Sequence, residues 1–242
     1  MMRNIYTLDL HTHTYASGHA YNTLNEMARA AKEKGLELLG ITDHAPAMTG
    51  SACNAHFLNL KVVPREKYGL PLMLGTEANI LDYEGALDLS DQLLAEMDIV
   101  IASLHIGCMK PGTKEQNTNA YVGAIRNKNV DIIGHPDDTR YEVDYETVIR
   151  EAGQYGTLIE LNNSSLSPNS FRKNAREADL IVLELCRQYG VPVILGSDAH
   201  TEEDILNFEY ADALLQELDF PLELIANTSV QKLRKFLSRK QP

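Results

Sequence analysis

Leu8-Asp9-Leu10-His11-Thr12-His13 is a short apolar run that ends in two histidines at alternate positions. A nearly continuous apolar run of this length is typical of a parallel strand that is covered on both faces. Alternate residues of a strand point to the same side, so both imidazoles are expected to face one space at its carboxyl end. Asp198-Ala199-His200 repeats this arrangement after the last apolar run, Val193–Gly196.

Seven such runs alternate with longer segments of helical period along the chain. They are Ile5–Leu10, Leu38–Thr42, Leu72–Thr76, Ile99–Leu104, Asp131–Gly134, Leu158–Leu161 and Val193–Gly196. A regular alternation of this kind, with no break in composition, predicts one α/β domain over residues 1–242. We expect a closed TIM-like (β/α)7 barrel with seven strands instead of the usual eight, and a doubly wound open sheet is the alternative.

Helix-start signals fall between the strand-like runs. Thr23-Leu24-Asn25-Glu26 has the spacing of a capping box, and the helix that it opens is expected to end at Gly35. Thr201-Glu202-Glu203-Asp204 places three carboxylates in the first turn of another predicted helix, where they favour the helix dipole. Further helices are predicted at about 86–96, 116–127, 144–155, 172–189 and 229–238.

Seven of the eight histidines follow the end of a strand-like run. They are His11, His13, His19, His44, His105, His135 and His200. Glu77 and Asp198 end strand-like runs in the same way. The carboxyl ends of all strands open on one face of a parallel βα barrel, so we expect these nine side chains to converge there. His56 lies outside this pattern, and we expect it to be structural or to lie behind the other histidines.

The composition excludes several classes of protein. The chain has 242 residues, with 22 Lys and Arg against 34 Asp and Glu, and a net charge of −12. A long nucleic acid needs a basic track to release counterions. The nearest candidate is Lys232, Arg234, Lys235, Arg239 and Lys240, which we expect to form the exposed face of a last helix. The sequence therefore predicts no long nucleic acid as a partner.

Membrane and secreted classes are also disfavoured. No window of 18 consecutive apolar residues is present, so no membrane span is predicted. Met1–Thr7 lacks the long apolar core of a signal peptide. Cys53, Cys108 and Cys186 are widely separated and odd in number, which argues against a disulfide framework. We therefore expect a cytoplasmic protein.

Six motifs, each with a histidine, a carboxylate or both, resemble as a set the PHP (polymerase and histidinol phosphatase) superfamily. They are His11-Thr-His13 with His19, Thr42-Asp43-His44, Gly75-Thr-Glu77-Ala-Asn79, Ser103-Leu-His105, Gly134-His135-Pro136 and Gly196-Ser-Asp198-Ala-His200. The resemblance covers the whole chain and is strongest to the small stand-alone YcdX-like branch of bacterial phosphatases. The stretches at 56–59, 77–80, 160–165 and 195–200 match that branch best.

The resemblance implies a distorted seven-stranded barrel that holds three divalent transition-metal ions. The first ion would be held by His11, His13, Glu77 and Asp198, the second by Glu77, His105 and His135, and the third by His19, His44 and His200. Glu77 would bridge two ions and, with Asp198 and His200, form the catalytic set. Zinc is the first choice, with iron or manganese as alternatives, because imidazoles and carboxylates without thiolates suit these metals.

Such a centre would favour phosphate. Three divalent ions and two carboxylates give a charge of about +4, and a hydroxide bound to the metals could attack phosphorus in line. We therefore expect a phosphoesterase that hydrolyses small phosphomonoesters. Histidinol phosphatase and a 3′/5′-end nuclease of the PHP type are the enzyme alternatives, and a metal or phosphate sensor is the non-enzyme alternative. The sequence leaves open whether the chain forms a homo-oligomer.

Two arginines are candidate contacts to the phosphate of a substrate. Arg140 follows His135 by five residues, and Arg172 lies in the loop after Asn162-Asn163. A guanidinium group matches the geometry of a phosphate. Asp9 and Asp43 come shortly before histidines of the set and are candidates for orienting imidazoles, although capping or strand-end bonding explains them nearly as well.

The substitution His56→Ala is expected to leave the metal content unchanged, because His56 is the one histidine outside the strand-end pattern. Elemental analysis of the variant beside the unaltered protein measures this. Loss of one metal equivalent in the variant would show that the wrong seven histidines were assigned.

Overall fold

The computed structural model describes residues 5–237, in which short strands alternate with helices. The strands are β1 (Leu8–Asp9), β2 (Leu38–Ile41), β3 (Glu66–Lys67), β4 (Leu70–Leu74), β5 (Thr76–Asn79), β6 (Val100–Ser103), β7 (Ile132–Ile133), β8 (Leu158–Asn162) and β9 (Val193–Gly196). The helices are α1 (Leu24–Glu33), α2 (Asn54–Asn59), α3 (Asp91–Leu94), α4 (Lys114–Arg126), α5 (Tyr145–Tyr155), α6 (Asn163–Leu166), α7 (Ala175–Tyr189), α8 (Glu209–Glu217) and α9 (Val230–Leu237).

Two sheets hold these strands, and all strand pairings except one are parallel. The first sheet has the order β1-β2-β4-β3, with β3 antiparallel to β4, and the second has the order β5-β6-β7-β8-β9. Leu8 lies opposite Leu38 in the first sheet, and Thr76 lies opposite Val100 in the second. Parallel strands need crossover connections, and most of the helices lie in these connections. The predicted α/β class with parallel strands is confirmed.

Gly75 marks the point where the chain passes from the first sheet to the second. Its N–H donates to the Ile41 carbonyl at 2.9 Å, and a Cβ atom added to it would lie 1.8 Å from the Ile99 carbonyl oxygen. Only glycine fits between these two backbones. The run Leu72–Thr76, predicted as one strand, therefore ends at Leu74 and resumes as β5 with different neighbours.

Isolated parallel bridges join the two sheets at the carboxyl ends of their strands. One bridge links His44 to Glu77 and the other links Thr12 to Ala199. The described residues thus form nine strands in two linked sheets. Closure into one seven-stranded barrel stays a prediction.

Helix α1 begins at the predicted capping box. The Thr23 hydroxyl accepts from the Glu26 N–H at 3.3 Å, and the Glu26 carboxylate accepts from the Thr23 N–H at 2.7 Å. The helix buries Met27, Ala28 and Ala31 on one face, as its periodicity predicts. Helices α4, α5, α7 and α9 also lie where helical period was found, although residues 238–242, with Arg239 and Lys240, are outside the described part of the chain.

The predicted helix at 86–96 is wrong in its first half. Ile80 and Leu87 form an antiparallel bridge, so this stretch doubles back as a tight turn. Helix α3 begins only after Ser90, whose side chain accepts from the Leu93 N–H.

The helix predicted to open at Thr201 also begins later. The Thr201 hydroxyl bonds the Asp204 carboxylate at 3.3 Å instead of a backbone N–H, and Glu202–Asp204 forms a single 3-10 turn. Leu206 then has a φ of +61°, which a helix does not tolerate, and α8 starts at Glu209.

Buried apolar side chains form two separate clusters on the two sides of the strands. The smaller cluster takes alternate strand residues such as Leu8, Ile101 and Ile132, and Leu233 and Phe236 of α9 pack against them. The larger cluster takes the intervening residues and packs them against the other helices. The apolar side chains of the smaller cluster fill the space beneath the carboxyl ends, where the polar residues of the motifs lie. Within residues 5–237 no helix is both long and apolar enough to cross a membrane.

Asn227 is a fully buried side chain that holds β1 beside β9. Its amide nitrogen donates to the carbonyls of Leu8 at 3.1 Å and Leu195 at 2.8 Å, and its amide oxygen accepts from the Leu195 N–H at 2.7 Å. Its own carbonyl accepts from the Thr7 N–H at 2.9 Å. Asn227 therefore links β1, at one edge of the first sheet, to β9, at one edge of the second sheet.

We expect Asn227→Ala to lower the free energy of unfolding by about 2–4 kcal/mol, because it removes three buried hydrogen bonds and leaves backbone groups unpaired. Chemical denaturation of the metal-free protein measures the change. Asn119→Ala, on an exposed position of α4, is the matched control and should change stability by no more than about 0.5 kcal/mol. Equal stability of both variants would contradict the bridging role.

Candidate metal centre

The nine side chains predicted to converge lie together at the carboxyl ends of the strands. His11 and His13 follow β1, His19 lies in the next loop, His44 follows β2, Glu77 is in β5, His105 follows β6, His135 follows β7, and Asp198 and His200 follow β9. The side chains of His11, His13, Glu77 and His135 are at most 2% exposed. His105 and His200 are more accessible, and His19 is exposed.

Glu77 is at the centre of this group. Five imidazole nitrogens lie within 3.7 Å of its two carboxylate oxygens: His44 Nδ1 at 2.6 Å, His135 Nε2 at 2.8 Å, His105 Nε2 at 3.2 Å, His11 Nε2 at 3.6 Å and His13 Nε2 at 3.7 Å. One carboxylate therefore contacts histidines from four different strand ends.

Asp198 is the second carboxylate of the group. Its Oδ1 atom lies 3.2 Å from His13 Nε2 and 3.7 Å from His11 Nε2. The backbone of Asp198 has a φ of +56°, in the left-handed region that few residues other than glycine adopt. This conformation accompanies the placement of its side chain beside the two histidines of the first strand.

His19, His44 and His200 form the outer side of the group. The ring centre of His19 lies 4.9 Å from that of His44 and 4.8 Å from that of His200. His200 Nδ1 lies 2.9 Å from the Asp198 carbonyl oxygen and is therefore the protonated nitrogen of that ring. The other nitrogen of His200 then carries a lone pair that can bind a cation.

Three overlapping sets of these residues have ligand atoms within 4.8 Å of one another. They are His11, His13 and Asp198; His44, Glu77 and His105; and His13, His44 and His200. The sets share His13 and His44, whereas the family resemblance assigns each of these histidines to one ion. His19 and His135 belong to the cluster but not to any of the three sets.

Five buried atoms of the cluster make no hydrogen bond to the described part of the chain. They are His11 Nε2, His13 Nε2, His44 Nδ1, His135 Nδ1 and Glu77 Oε2. Proteins pair nearly all of their buried polar atoms, and an unpaired one costs about 1–3 kcal/mol. Divalent cations bind the lone pairs of imidazoles and carboxylates together. The residues present therefore fit a metal centre.

The electrostatics favour ionised Glu77 and Asp198 and a neutral His13, but they favour the protonated form of His11 while no metal is bound. Burial raises the pKa of Glu77 and Asp198, but the surrounding imidazoles outweigh burial and hold both pKa values well below their ordinary range. Burial and the neighbouring imidazoles lower the pKa of His13 well below its ordinary value. Burial also lowers the pKa of His11, but three carboxylates outweigh it and the net pKa is raised. Ionised carboxylates and neutral imidazoles are the ligand forms.

Ser17 and Asp43 support His13 from behind. The Ser17 hydroxyl lies 3.0 Å from His13 Nδ1 and donates to Asp43 Oδ1 at 2.6 Å. Asp43 also accepts from the backbone N–H of Thr14 at 2.7 Å. Ser17 therefore lies between the carboxylate of Asp43 and the predicted ligand His13.

Asp9, in contrast, orients backbone rather than an imidazole ring. Its carboxylate accepts from the N–H groups of Ser197 at 3.3 Å, Leu206 at 3.0 Å and His11 at 3.4 Å. Burial raises the pKa of Asp9 to about 6 despite these bonds. The side chain thus holds the loops after β1 and β9 together.

Glu160 and Asn79 contact the imidazoles of predicted ligands, and the sequence assigned neither of them a role. Glu160 Oε1 lies 2.5 Å from His11 Nδ1, and Asn79 Oδ1 lies 2.7 Å from His105 Nδ1. A signal for Glu160 was present, because Glu160 and Asn162 alternate on a strand that is otherwise apolar. Hydrogen bonds of this kind fix which imidazole nitrogen is free to bind a metal.

Arg172 lies at the centre, whereas Arg140 does not. Arg172 Nη1 lies 3.4 Å from Asp198 Oδ2 and donates to the Ser165 hydroxyl at 3.0 Å. Arg140 forms two hydrogen bonds to the Asp138 carboxylate, at 2.8 and 2.6 Å, and its Cζ atom lies 5.1 Å from the ring centre of Phe171. Burial lowers the pKa of Arg172, but nearby carboxylates outweigh burial and raise it, so the guanidinium is charged.

His56 is placed behind the centre. Its Nε2 atom lies 3.9 Å from Asp43 Oδ2, and its side chain is 33% exposed. It belongs to none of the three ligand sets.

A cavity of about 380 Å³ opens onto the outer side of the centre. It is lined by His19, His44, Met48, His105, Ser164, Phe171, Arg172, Asp198, His200 and Asp204. Two of the lining residues, Phe171 and Met48, are apolar, and Phe171 is largely exposed. The cavity is therefore lined by imidazoles and the Arg172 guanidinium, and part of its rim is apolar.

Comparisons with known proteins show the family of the chain. The model of the PHP domain family matches residues 9–167. A protein of Caldicellulosiruptor saccharolyticus named a probable phosphatase is 46% identical over 230 residues, which is 95% of each chain. A probable phosphatase of Acetivibrio thermocellus is 42% identical over 236 residues, which is 98% of this chain and 97% of the other.

The fold also resembles that of a solved structure. The histidinol phosphate phosphatase of Lactococcus lactis, crystallised with zinc, L-histidinol and phosphate, superposes with a TM-score of 0.64 over 89% of this chain and 95% of its own. Its sequence identity is 19%, so this likeness concerns the fold alone.

By fold, site and relatives the protein is a hydrolase of phosphoric ester bonds. The chain belongs to the PHP domain family. Asp198 and His200 lie beyond the matched range of residues 9–167, so the last strand contributes to the site from outside that range.

We expect Glu77→Gln to lower kcat/KM at least about 100-fold and to reduce the bound metal, because the amide keeps the shape but loses the charge that faces five imidazoles. Elemental analysis and hydrolysis of an aryl phosphate measure the two effects. Glu37→Gln, at an exposed position, is the control and should change neither. Full metal content and full turnover in Glu77→Gln would refute the central role of this carboxylate.

Proposed function

We propose that this protein is a metal-dependent phosphomonoesterase that binds three divalent transition-metal ions, with zinc as the first choice and iron or manganese as alternatives. One observation carries the proposal. Seven imidazoles and two carboxylates, with five buried atoms unpaired, converge at the strand ends of a chain that is 46% identical to a probable phosphatase.

The proposed ligands divide into three sets. His11, His13, Glu77 and Asp198 would hold the first ion, Glu77, His105 and His135 the second, and His19, His44 and His200 the third. The close grouping of His11, His13 and Asp198 supports the first set, and the contacts of Glu77 Oε1 with His135 and His105 support the second. The ring contacts of His19 with His44 and His200 support the third.

Divalent ions bound in such a site supply a water molecule that is ionised near neutral pH and neutralise charge on the phosphoryl oxygens. The residues of the chain position the reactants. Arg172, charged and 8% exposed, lines the cavity beside Asp198, and we propose that it binds a phosphate oxygen of the substrate. His200, at the accessible side of the centre, and Phe171, on the cavity rim, then lie near the leaving group.

The proposed substrate is a small phosphomonoester. A cavity of about 380 Å³ has room for a small organic phosphate, and a net charge of −12 disfavours a long nucleic acid. Histidinol phosphate is the first specific alternative, because the Lactococcus lactis structure contains L-histidinol and phosphate. We propose that residues 1–242 form one catalytic domain, because the proposed ligands extend from position 11 to position 200.

The test is a substrate panel on protein whose metals have first been quantified. It compares an aryl phosphate, histidinol phosphate, sugar phosphates and short oligonucleotides with free 3′ or 5′ ends. Metal-dependent release of phosphate from small monoesters supports the proposal. Hydrolysis of the oligonucleotides alone would favour an end nuclease, and binding of metal and phosphate without hydrolysis would favour a sensor.

The two arginines make a matched pair of variants. We expect Arg172→Ala to raise KM for an aryl phosphate about 10- to 100-fold, because a charged hydrogen bond to phosphate is lost. Arg140→Ala should leave KM within about twofold, because its guanidinium is paired with Asp138 and reaches only the outer rim of the cavity, 5.1 Å from the ring centre of Phe171. Metal content is measured first in both variants, since Arg172 also contacts Asp198. Equal KM values would remove Arg172 from the substrate site.

Acid should inactivate the enzyme reversibly. Protons compete with metals for imidazoles. Because the pKa of His11 is raised in the metal-free protein, protons compete for this ligand at a higher pH than they do for an ordinary histidine. Activity and bound metal are therefore expected to fall together as the pH is lowered below about 6.5, and to return on neutralisation with added metal. Inorganic phosphate should inhibit competitively. Activity that is highest in acid and insensitive to chelators would exclude metal-dependent hydrolysis.

A further inference from the structure

We infer that Glu160 is a positioning residue that couples two of the metal-binding sets, by holding the imidazole of His11 and the backbone of His135 with its two carboxylate oxygens. The inference rests on the proposed function, because it concerns how metal ligands are held. Glu160 belongs to none of the three sets of residues whose ligand atoms lie within 4.8 Å of one another.

The contacts of Glu160 are short and buried. Oε1 lies 2.5 Å from His11 Nδ1, and Oε2 accepts from the His135 backbone N–H at 2.8 Å. Asn162 Nδ2 donates to Oε2 at 3.2 Å. Glu160 itself is 2% exposed, so these bonds are not weakened by solvent.

The bond to His11 selects the tautomer of that ring. A carboxylate only accepts hydrogen bonds, so its partner Nδ1 carries the proton and Nε2 carries the lone pair. His11 Nε2 is one of the buried atoms without a hydrogen bond, and it lies 3.6 Å from Glu77 and 3.7 Å from Asp198. Glu160 thus directs the free lone pair of His11 toward the two carboxylates of the centre.

The bond to His135 holds an unfavourable backbone. His135 has a φ of +29°, in a region that residues with a side chain rarely adopt. Its N–H is fixed by Glu160 Oε2, while its Nε2 lies 2.8 Å from Glu77 Oε1. The hydrogen bond to Glu160 therefore supports both the strained backbone of His135 and the position of its imidazole beside Glu77.

The neighbouring strand leaves room for this carboxylate. Gly196 pairs with Asn162 across β8 and β9, and a Cβ atom added to Gly196 would lie 1.9 Å from Glu160 Oε1. Only glycine at this position allows the Glu160 side chain to pass between β9 and His11. The space, the two acceptor bonds and the strain at His135 all depend on the same side chain.

Zinc titration of Glu160→Gln tests the inference. The amide offers one oxygen to two N–H donors, so one of the two bonds must be replaced by a clash between donors. In a buffer that holds the free zinc concentration constant, we expect the affinity for two of the three zinc ions to fall about 10- to 100-fold. The affinity for the third zinc ion should be unchanged. Excess zinc should restore much of the lost kcat/KM, which a merely unfolded variant would not do.

Asp212→Asn is the matched control. Asp212 is also a fully buried carboxylate and accepts from the Tyr6 hydroxyl and from Gln216 Nε2, but it contacts none of the nine proposed ligands through these bonds. Its zinc titration should match that of the unaltered protein. Thermal unfolding of the metal-free proteins shows whether either substitution acts through the fold.

Glu160→Asp gives a second measurement if the amide variant does not fold. It keeps the charge but is one methylene shorter, so it cannot reach both partners, and the same loss of zinc affinity is expected. Unchanged zinc affinity in either folded variant would overturn the inference. If the unaltered protein bound no zinc, iron or manganese, the proposed function itself would fail, which is a separate outcome.

Discussion

The contact between the Glu77 carboxylate and the imidazoles around it is the constraint on which the rest of the structure depends. Glu77 is fully buried, and an ionised carboxylate in such a place is strongly destabilising unless neighbouring groups compensate its charge. Five buried atoms of the cluster make no hydrogen bond to the described part of the chain, although imidazole nitrogens lie close to Glu77. Divalent cations would satisfy these atoms, and the remainder of the fold holds the residues that are proposed to bind them.

The strands meet this demand by separating polar from apolar side chains along their length. Below the carboxyl ends, alternate residues such as Leu8 and Ile101 form an apolar cluster against α9. Above it, the chain leaves each strand through loops that carry the histidines. Two of the nine residues, His135 and Asp198, have left-handed backbone conformations, with φ values of +29° and +56°. Strain of this kind persists only where neighbouring groups hold the backbone in place.

A second layer of side chains orients the cluster. Ser17 and Asp43 lie behind His13, Asn79 lies behind His105, and Glu160 lies behind His11. Ser17, Asn79 and Glu160 each contact the Nδ1 atom of an imidazole whose Nε2 atom lies near Glu77, and Asp43 accepts from the Ser17 hydroxyl. The local field of such a centre differs from that of the whole protein. In the proposed function, a chain with a net charge of −12 would still attract a phosphate to one cavity, because the proposed cations and Arg172 would supply positive charge there.

The sequence by itself determined the features that depend on local pattern and on the chemistry of single residue types. Local pattern predicts the strand-like runs, the capping box at Thr23 and the nine histidines and carboxylates at strand ends. Periodicity is a property of neighbouring residues, and the ability to bind a metal is a property of the residue type. The tertiary structure alone decided that Arg172 and not Arg140 lines the cavity, that the strand breaks at Gly75, and that Glu160 supports His11. Glu160 and His11 are 149 positions apart, and the strand-end pattern that predicted the convergence of the histidines does not tell which individual side chains contact each other. Their contact arises from the way the parallel strands bring distant segments side by side, which is a property of the folded chain.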